Sequence, residues 1–144
     1  MKVIVPPITS PVLLTDYHPA MLAPGTDKPV VVHVWVNPPR DIIAEHYRLV
    51  DEWKAAQDAF IVAAGDEAVA KERARMAAAE DGLAAWYARL WSMAADMSTH
   101  WTVEDVQALA ALETDPALYS WLTRTSWELI YAHRATRKKV SASR

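Results

Sequence analysis

The segment Asp115–Lys139, DPALYSWLTRTSWELIYAHRATRKK, has the clearest helical pattern in the chain. Asp115 is a favourable N-cap residue, and Pro116 suits the first helical position because its missing N–H would have no intrahelical partner there. At ~100° per residue, one side of this helix is apolar and is expected in the core. That side consists of Leu118, Leu122, Leu129 and Ala132.

The opposite side of the same helix is also aromatic. Trp127 lies about opposite Leu118, and Tyr131 follows one turn later, with Arg124 and Arg134 nearby. Aromatic residues bordered by arginine are typical of protein-contact hot spots. We therefore predict a protein-contact site formed by Trp127, Tyr131, Arg124 and Arg134. The alternative is that another strand or helix of the chain covers the Trp127–Tyr131 pair.

The end of the segment is basic, with no acidic residue after Glu128. Its cations are Arg134, Arg137, Lys138, Lys139 and Arg144. They could contact phosphates, but cations also favour a helix C-terminus. Five such charges on a chain of net charge −3 make a weak nucleic-acid footprint. We predict no nucleic-acid partner, and a flexible tail over residues 140–144.

Residues 1–39 differ from the rest because they contain eight of the nine prolines. Proline interrupts helix interiors and central strands, so this segment is expected to be extended. Val30–Val36, VVVHVWV, is the strongest strand signal, and its two mostly apolar faces indicate that both are covered. Its expected hairpin partner is either Ile8–Leu14 or Tyr17–Leu22.

Helical periodicity begins at NPPRD, where Asn37 is the predicted cap. It predicts one helix over residues 41–64. Residues 66–81 are rich in alanine and charge, which indicates a solvated helix or a helical connector. Residues 83–97 have an amphipathic helical pattern. Whether Asp81–Gly82 separates these two helical segments is left open.

Thr102 followed by Asp105 resembles a capping box and predicts a short helix from Val103 to Glu113. The predicted fold class is mostly α, a helical bundle with a small N-terminal extended or β-hairpin segment (α+β). Residues 1–39 form that segment, and residues 40–139 form the helical part of what is expected to be a single domain.

The composition argues against several kinds of site. Without cysteine, disulfides and thiolate chemistry are excluded, and three glycines leave little room for a phosphate-binding loop. The five histidines are scattered without metal-ligand spacing, and no nucleophile-elbow motif is present. We predict a non-enzymatic protein without catalytic residues, metal or cofactor. No apolar run has the length of a membrane span, so no membrane partner is expected.

Seven tryptophans are an unusual enrichment for 144 residues. Tryptophan carries large apolar area and is common both in cores and at contact surfaces. We expect most of them in the core and about two at a contact surface.

Two stretches, HVWVNPPRDIIAEHY (residues 33–47) and the segment at 115–139, resemble tail assembly chaperones of long-tailed bacteriophages. The likeness extends over most of the chain in layout, including an alanine-rich helical middle, but in residue pattern it covers only these two stretches. The proteins of that family are small, largely helical and non-enzymatic. The family therefore has no catalytic residues to assign to positions of this chain. The resemblance implies a protein of the host cytoplasm that binds the tape measure protein, recruits tail tube subunits and self-associates.

Two other functions fit the same sequence features. One is a small phage regulator that binds a host protein such as RNA polymerase, and the other is a structural subunit of the virion. Neither needs an active site, so the residues alone do not separate them from a chaperone.

Overall fold

The computed structural model describes residues 5–94, 98–111 and 115–142. The mostly helical fold class with a small β part is confirmed, but the β part is a four-stranded antiparallel sheet rather than a hairpin. In chain order the elements are β1 (Thr9–Leu13), a 3-10 turn (Leu14–Asp16), β2 (Val31–Trp35), α1 (Arg40–Val62), α2 (Asp66–Leu90), β3 (Trp91–Ala94), β4 (Ser98–His100), α3 (Val103–Ala110) and α4 (Pro116–Ala142).

The sheet has the strand order β1-β2-β3-β4. The first of the two predicted hairpin partners is correct, since β1 pairs with β2 in a register that places Val12 opposite Val32. One face of β2, with Val32 and Val34 fully buried, packs into the core. The other face, with Val31, His33 and Trp35, is half-buried, so the two faces are covered unequally.

The predicted helix over residues 83–97 is wrong in its second half. α2 ends at Leu90, and Trp91–Ala94 form β3, while residues 95–97 lie outside the described residues. Trp91 pairs opposite Val34 and is 1% exposed. A free edge of β2 would leave backbone N–H and C=O groups without partners, and pairing with β3 satisfies them. This long-range pairing overrides the local helical pattern.

Asn37 was predicted to cap α1, and this prediction is wrong. The N-cap is Pro39, which makes no side-chain capping bond. The Oδ1 atom of Asn37 instead accepts a hydrogen bond from the N–H of Ile8 at 2.6 Å, and its Nδ2 donates to the carbonyl of Pro6 at 3.1 Å. The side chain therefore ties the N-terminal segment to the end of β2.

α1 and α2 form an antiparallel hairpin with two unlike halves. Ile43 and Leu49 of α1 and Trp86, Tyr87 and Leu90 of α2 contribute to the hydrophobic core. Beyond them, the helices pair with each other up to the turn at Gly65, whose φ of 91° favours glycine. No residue of 50–81 belongs to the main hydrophobic cluster, although Ala56 and Ala79 are buried. We call residues 50–81 the arm and the other described residues the body.

α2 is continuous through Asp81–Gly82, which settles the question left open by the sequence. Gly82 lies where the two helices approach closely. A Cβ atom at this position would lie 2.6 Å from Cδ2 of Leu49. The glycine therefore gives close packing at the junction of arm and body.

The caps of α3 and α4 agree with the prediction. Thr102 and Asp105 form the capping box of α3, which ends at Ala110; the predicted end at Glu113 lies outside the described residues. Asp115 caps α4, with Oδ1 accepting from the N–H groups of Ala117 and Leu118 at 3.0 and 3.2 Å. The hydroxyl of Tyr17 donates to Oδ2 of Asp115 at 2.9 Å. α4 continues to Ala142 and so passes the predicted start of the tail.

The buried side of α4 agrees with the predicted one except at one residue. Leu118, Leu122 and Ile130 are buried and Leu129 packs against the core, but Ala132 is exposed. Ser126 is 0% exposed, with its Oγ accepting from Nε1 of Trp91 at 3.0 Å and donating to the carbonyl of Leu122 at 2.7 Å. Because both hydrogen bonds are made, this buried hydroxyl carries no unpaired polar atom.

The tryptophans are concentrated in the body. Trp86 and Trp91 are buried, and the other five are half-buried. Four of those five pack against the core. Within the described part of the chain, no helix is both long and apolar enough to cross a membrane.

Candidate functional site

Aromatic side chains from three helices meet in the body. His46 comes from the apolar side of α1, Trp86 and Tyr87 from the end of α2, and Trp127 from α4. The Trp86 and Trp127 rings are stacked, with centroids 5.5 Å apart and planes at 6°. The ring centroid of His46 lies 4.7 Å from the ring centroids of both tryptophans. We call these four residues the aromatic cluster.

The polar atoms of the aromatic cluster bond mostly to one another. Nε1 of Trp127 donates to the hydroxyl of Tyr87 at 3.1 Å, and that hydroxyl lies 3.2 Å from Nε2 of His46. Nε1 of Trp86 donates to the carbonyl of Ile42 at 2.7 Å. Each of these bonds offsets the cost of removing a polar group from water. Because the bonds join residues of α1, α2 and α4, the cluster holds the three helices in one arrangement.

Burial also determines the charge state of the cluster. Desolvation lowers the pKa of His46 from its ordinary value of 6.5, which favours the neutral imidazole. Burial raises the pKa of Tyr87, although the hydrogen bond from Trp127 acts in the opposite direction. The cluster is therefore an uncharged, largely apolar support at neutral pH.

Other helices of the chain cover Trp127. This is the alternative to a contact site that the sequence left open. Its indole is half-buried beneath α1 and the end of α2. The helix pattern of α4 indicated that Trp127 points away from Leu118. It carried no information on His46 or Trp86, which reach the indole from other helices.

Two tyrosines lie over the aromatic cluster at the surface. Tyr47 of α1 is 48% exposed and Tyr131 of α4 is 51% exposed. Their hydroxyl oxygens are 3.1 Å apart, and their ring centroids lie 6.0 and 5.7 Å from that of Trp127. Sequence reasoning identified Tyr131 but missed Tyr47, whose signal was its position beside His46 on α1.

Two arginines of α4 lie on either side of Tyr131 along the helix. The hydrogen bond with Tyr131 and burial raise the pKa of Tyr47. Arg134 is exposed and lies close enough for its positive charge to oppose that rise. Arg124 is also exposed and precedes Tyr131 by two turns of α4. We call Tyr47, Tyr131, Arg124 and Arg134 the aromatic face. Of the predicted contact residues, it contains all but the half-buried Trp127, which packs beneath it.

The aromatic face is suited to binding. Exposed tyrosine supplies amphipathic contact area with few rotatable bonds, and arginine supplies charge with fixed donor geometry. Among residues 5–94, 98–111 and 115–142, no group of three or more histidine, aspartate or glutamate side chains could hold a metal ion.

Comparisons with known proteins identify no relative. No family model matches the chain, and neither the curated proteins nor the solved structures give a significant match.

Proposed function

We propose that the protein is a non-catalytic tail assembly chaperone of a long-tailed bacteriophage. In this proposal it works in the host cytoplasm, binds the tape measure protein and recruits tail tube subunits. Two stretches of the sequence support the proposal by their resemblance to that family. The largely helical fold is compatible with it.

The observation that carries the proposal is the aromatic face. Tyr47 and Tyr131 remain about half exposed although a packed aromatic cluster lies directly beneath them. A side chain held on a rigid base loses little conformational freedom on binding, so its burial against a partner contributes more to affinity. Such a base beneath exposed aromatic residues favours a binding protein over a simple structural surface.

The charge of the aromatic face indicates the chemistry of the partner. Arg124 and Arg134 are exposed, and α4 as a whole carries five basic residues against Glu128 alone. An elongated helical protein can present apolar side chains in a stripe with acidic residues beside it. The binding segment of the tape measure protein is therefore proposed to be apolar and acidic.

Co-expression with the tape measure protein encoded in the same genome tests the proposal. We expect the wild-type chain to keep that protein soluble and to co-purify with it. The combined variant Tyr131→Ala, Arg124→Ala and Arg134→Ala should lose at least about tenfold in recovered tape measure protein, because central aromatic and arginine contacts dominate such interfaces. Trp127 is left intact because its loss would disturb the aromatic cluster.

Leu22→Ala is the matched control for this experiment. Leu22 is 39% exposed and lies outside the aromatic face, so its removal should leave recovery unchanged. A genome without tail genes would contradict the proposal. So would recovery of RNA polymerase in place of tail proteins, or the presence of the chain in purified virions; these results would favour a regulator or a structural subunit.

A further inference from the structure

The hydrogen bonds of the aromatic cluster run in one direction. An indole nitrogen only donates, so the hydroxyl oxygen of Tyr87 accepts from Nε1 of Trp127 at 3.1 Å. The hydroxyl has its own proton to donate, and its other partner among the described residues is Nε2 of His46 at 3.2 Å. The bonds therefore run from Trp127 through Tyr87 to His46, with Nε2 as the last acceptor.

The tautomer of His46 follows from this direction. When Nε2 accepts, the proton of the neutral imidazole lies on Nδ1, which is buried without a hydrogen-bond partner in the described part of the chain. In the other tautomer Nε2 would donate to Tyr87, and both Nδ1 and the Tyr87 hydroxyl proton would lack a partner. Unpaired buried groups are costly, so the tautomer with one such group is preferred to the tautomer with two.

The surroundings of His46 do not favour a positive charge. The titratable and charged groups around it are Glu45, Tyr47 and Arg48 of α1, Tyr87 and Arg89 of α2, and Tyr131 and Arg134 of α4. Glu45 is the one carboxylate in this set, and it pairs with Arg48 at 2.6 Å. Contact with the two indole rings offsets part of the cost of charging the imidazole. Burial nevertheless lowers the pKa of His46 from its ordinary value of 6.5.

Protonation of His46 reverses the last bond of the chain. Nε2 of an imidazolium carries a proton and can only donate. It then donates to the same Tyr87 oxygen that accepts from Trp127, and the Tyr87 hydroxyl proton loses its acceptor. A charged donor forms the stronger bond, so the bond from Trp127 is the one that breaks. The indole of Trp127 is thereby released from the cluster.

We propose that His46 is a proton-operated switch that controls the aromatic face. Neutral His46 accepts from Tyr87 and keeps Trp127 tied to the cluster, and protonated His46 releases it. The rings of Tyr47 and Tyr131 lie on that indole, with centroids 6.0 and 5.7 Å away. Release removes the rigid base beneath both tyrosines, and a mobile face loses more conformational freedom when it binds a partner.

The fraction of neutral His46 sets the expected loss of binding. About one pH unit below the midpoint of the His46 titration, about one tenth of the molecules are neutral, and if only these bind, the apparent affinity falls about tenfold. This last step rests on the proposed function of the aromatic face. The switch itself is a property of the free chain and is tested without a partner.

Nuclear magnetic resonance of the isotope-labelled full chain measures both ends of the hydrogen-bond chain. At about pH 8, where His46 is neutral, the unprotonated ring nitrogen should be Nε2. Between about pH 8 and pH 5 most carboxylates stay ionised. Over that range the indole N–H signal of Trp127 should shift with the same midpoint as the His46 ring, while circular dichroism shows unchanged helix content.

Three variants isolate the effect. His46→Gln places an amide oxygen near the position of Nε2 but does not titrate, so the Trp127 signal should no longer depend on pH. Tyr87→Phe removes the shared oxygen, so its Trp127 signal should resemble that of the protonated wild type at every pH. His100→Gln is the matched control, because it removes an exposed imidazole on β4 and should titrate like the wild type.

A neutral His46 protonated on Nε2 would overturn the inference, as would a Trp127 signal that does not follow the His46 titration. It would also fail if His46→Gln kept the pH dependence, or if His46 stayed neutral until the chain unfolded. Recovery of the tape measure protein at two pH values tests the last step. Absence of binding at both values contradicts the proposed function and leaves the switch to the resonance measurements, so the two failures can be told apart.

Discussion

The arm and the body contain parts of the same two helices but are held by different side chains. In the body, α1 and α2 are fixed by large residues such as Trp86, Tyr87 and Leu90, which are at most 6% exposed. In the arm, the buried apolar residues are Ala56 and Ala79. The difference indicates that one continuous hairpin combines a strongly packed base with a lightly packed projection.

The polar contacts of the arm do not compensate for its small apolar residues. Arg75 pairs with Glu72 at 2.7 Å and with Glu52 at 3.8 Å, and Nε1 of Trp53 donates to Glu80 at 2.9 Å. Partly exposed ion pairs contribute roughly 0–1 kcal/mol each. We infer that the arm opens locally at a lower free energy than the body.

The largest expected effect is in the body. Trp91→Ala removes an indole that is 1% exposed and leaves Ser126 without its hydrogen-bond donor. We expect the free energy of unfolding to fall by about 4 kcal/mol, which includes the cavity that remains. Denaturant unfolding measures it. A loss below about 1 kcal/mol would show that the body is not packed as described.

A smaller effect is expected at the junction of arm and body. Gly82→Ala gains about 1 kcal/mol in helix propensity. Its Cβ, however, meets Cδ2 of Leu49 at 2.6 Å, and overpacking costs about 1–3 kcal/mol. We expect a net loss of about 1 kcal/mol in denaturant unfolding. A stabilised variant would show that Leu49 moves aside freely.

The aromatic cluster should make stability depend on pH. The pKa of His46 is lower in the folded state than its ordinary value of 6.5, so the unfolded chain takes up the proton first as pH falls. Stability is therefore full above pH 6.5 and decreases from there towards the lower, folded pKa. Unfolding measured above about pH 5, where most carboxylates stay ionised, isolates this effect.

His46→Phe is the control for the pH experiment. It keeps an aromatic ring beside the stacked Trp86 and Trp127 but has no group that titrates. Its unfolding free energy should fall less steeply below pH 6.5 than that of the wild type. Equal slopes would assign the pH dependence to other groups.

The smallest effect on stability is expected in the last turn of α1. Ile61→Ala removes a side chain that is 72% exposed, so little apolar burial is lost. We expect the free energy of unfolding to change by less than about 0.5 kcal/mol, as for other exposed positions. A loss above about 1.5 kcal/mol in denaturant unfolding would show that Ile61 supports the packing of the arm.

The parts of the fold that local chemistry specifies could be predicted from the sequence. Asp115 and Pro116 mark the start of α4, and Thr102 with Asp105 marks the start of α3, because caps act within one turn. The alternating valines of β2 likewise predict a strand, since burial on one face requires a period of two.

The rest depended on residues far apart in the chain. Trp91 fits the helical pattern of α2 locally, and only pairing with β2 makes it a strand residue. Asn37 has the composition of a cap, but its amide bonds to the segment at Ile8. The aromatic face could be predicted only in part. The helical pattern of α4 indicates Tyr131, but Tyr47 comes from α1, which is distant in the sequence.

Calorimetry with the proposed partner, the tape measure protein, tests the central claim most directly when the wild type is compared with Tyr131→Ala. Tyr131 is 51% exposed, so the variant should keep its thermal midpoint within about 2 °C of the wild type. Its affinity should fall at least about tenfold. An unchanged affinity in a folded variant would contradict the claim that the aromatic face is the binding surface.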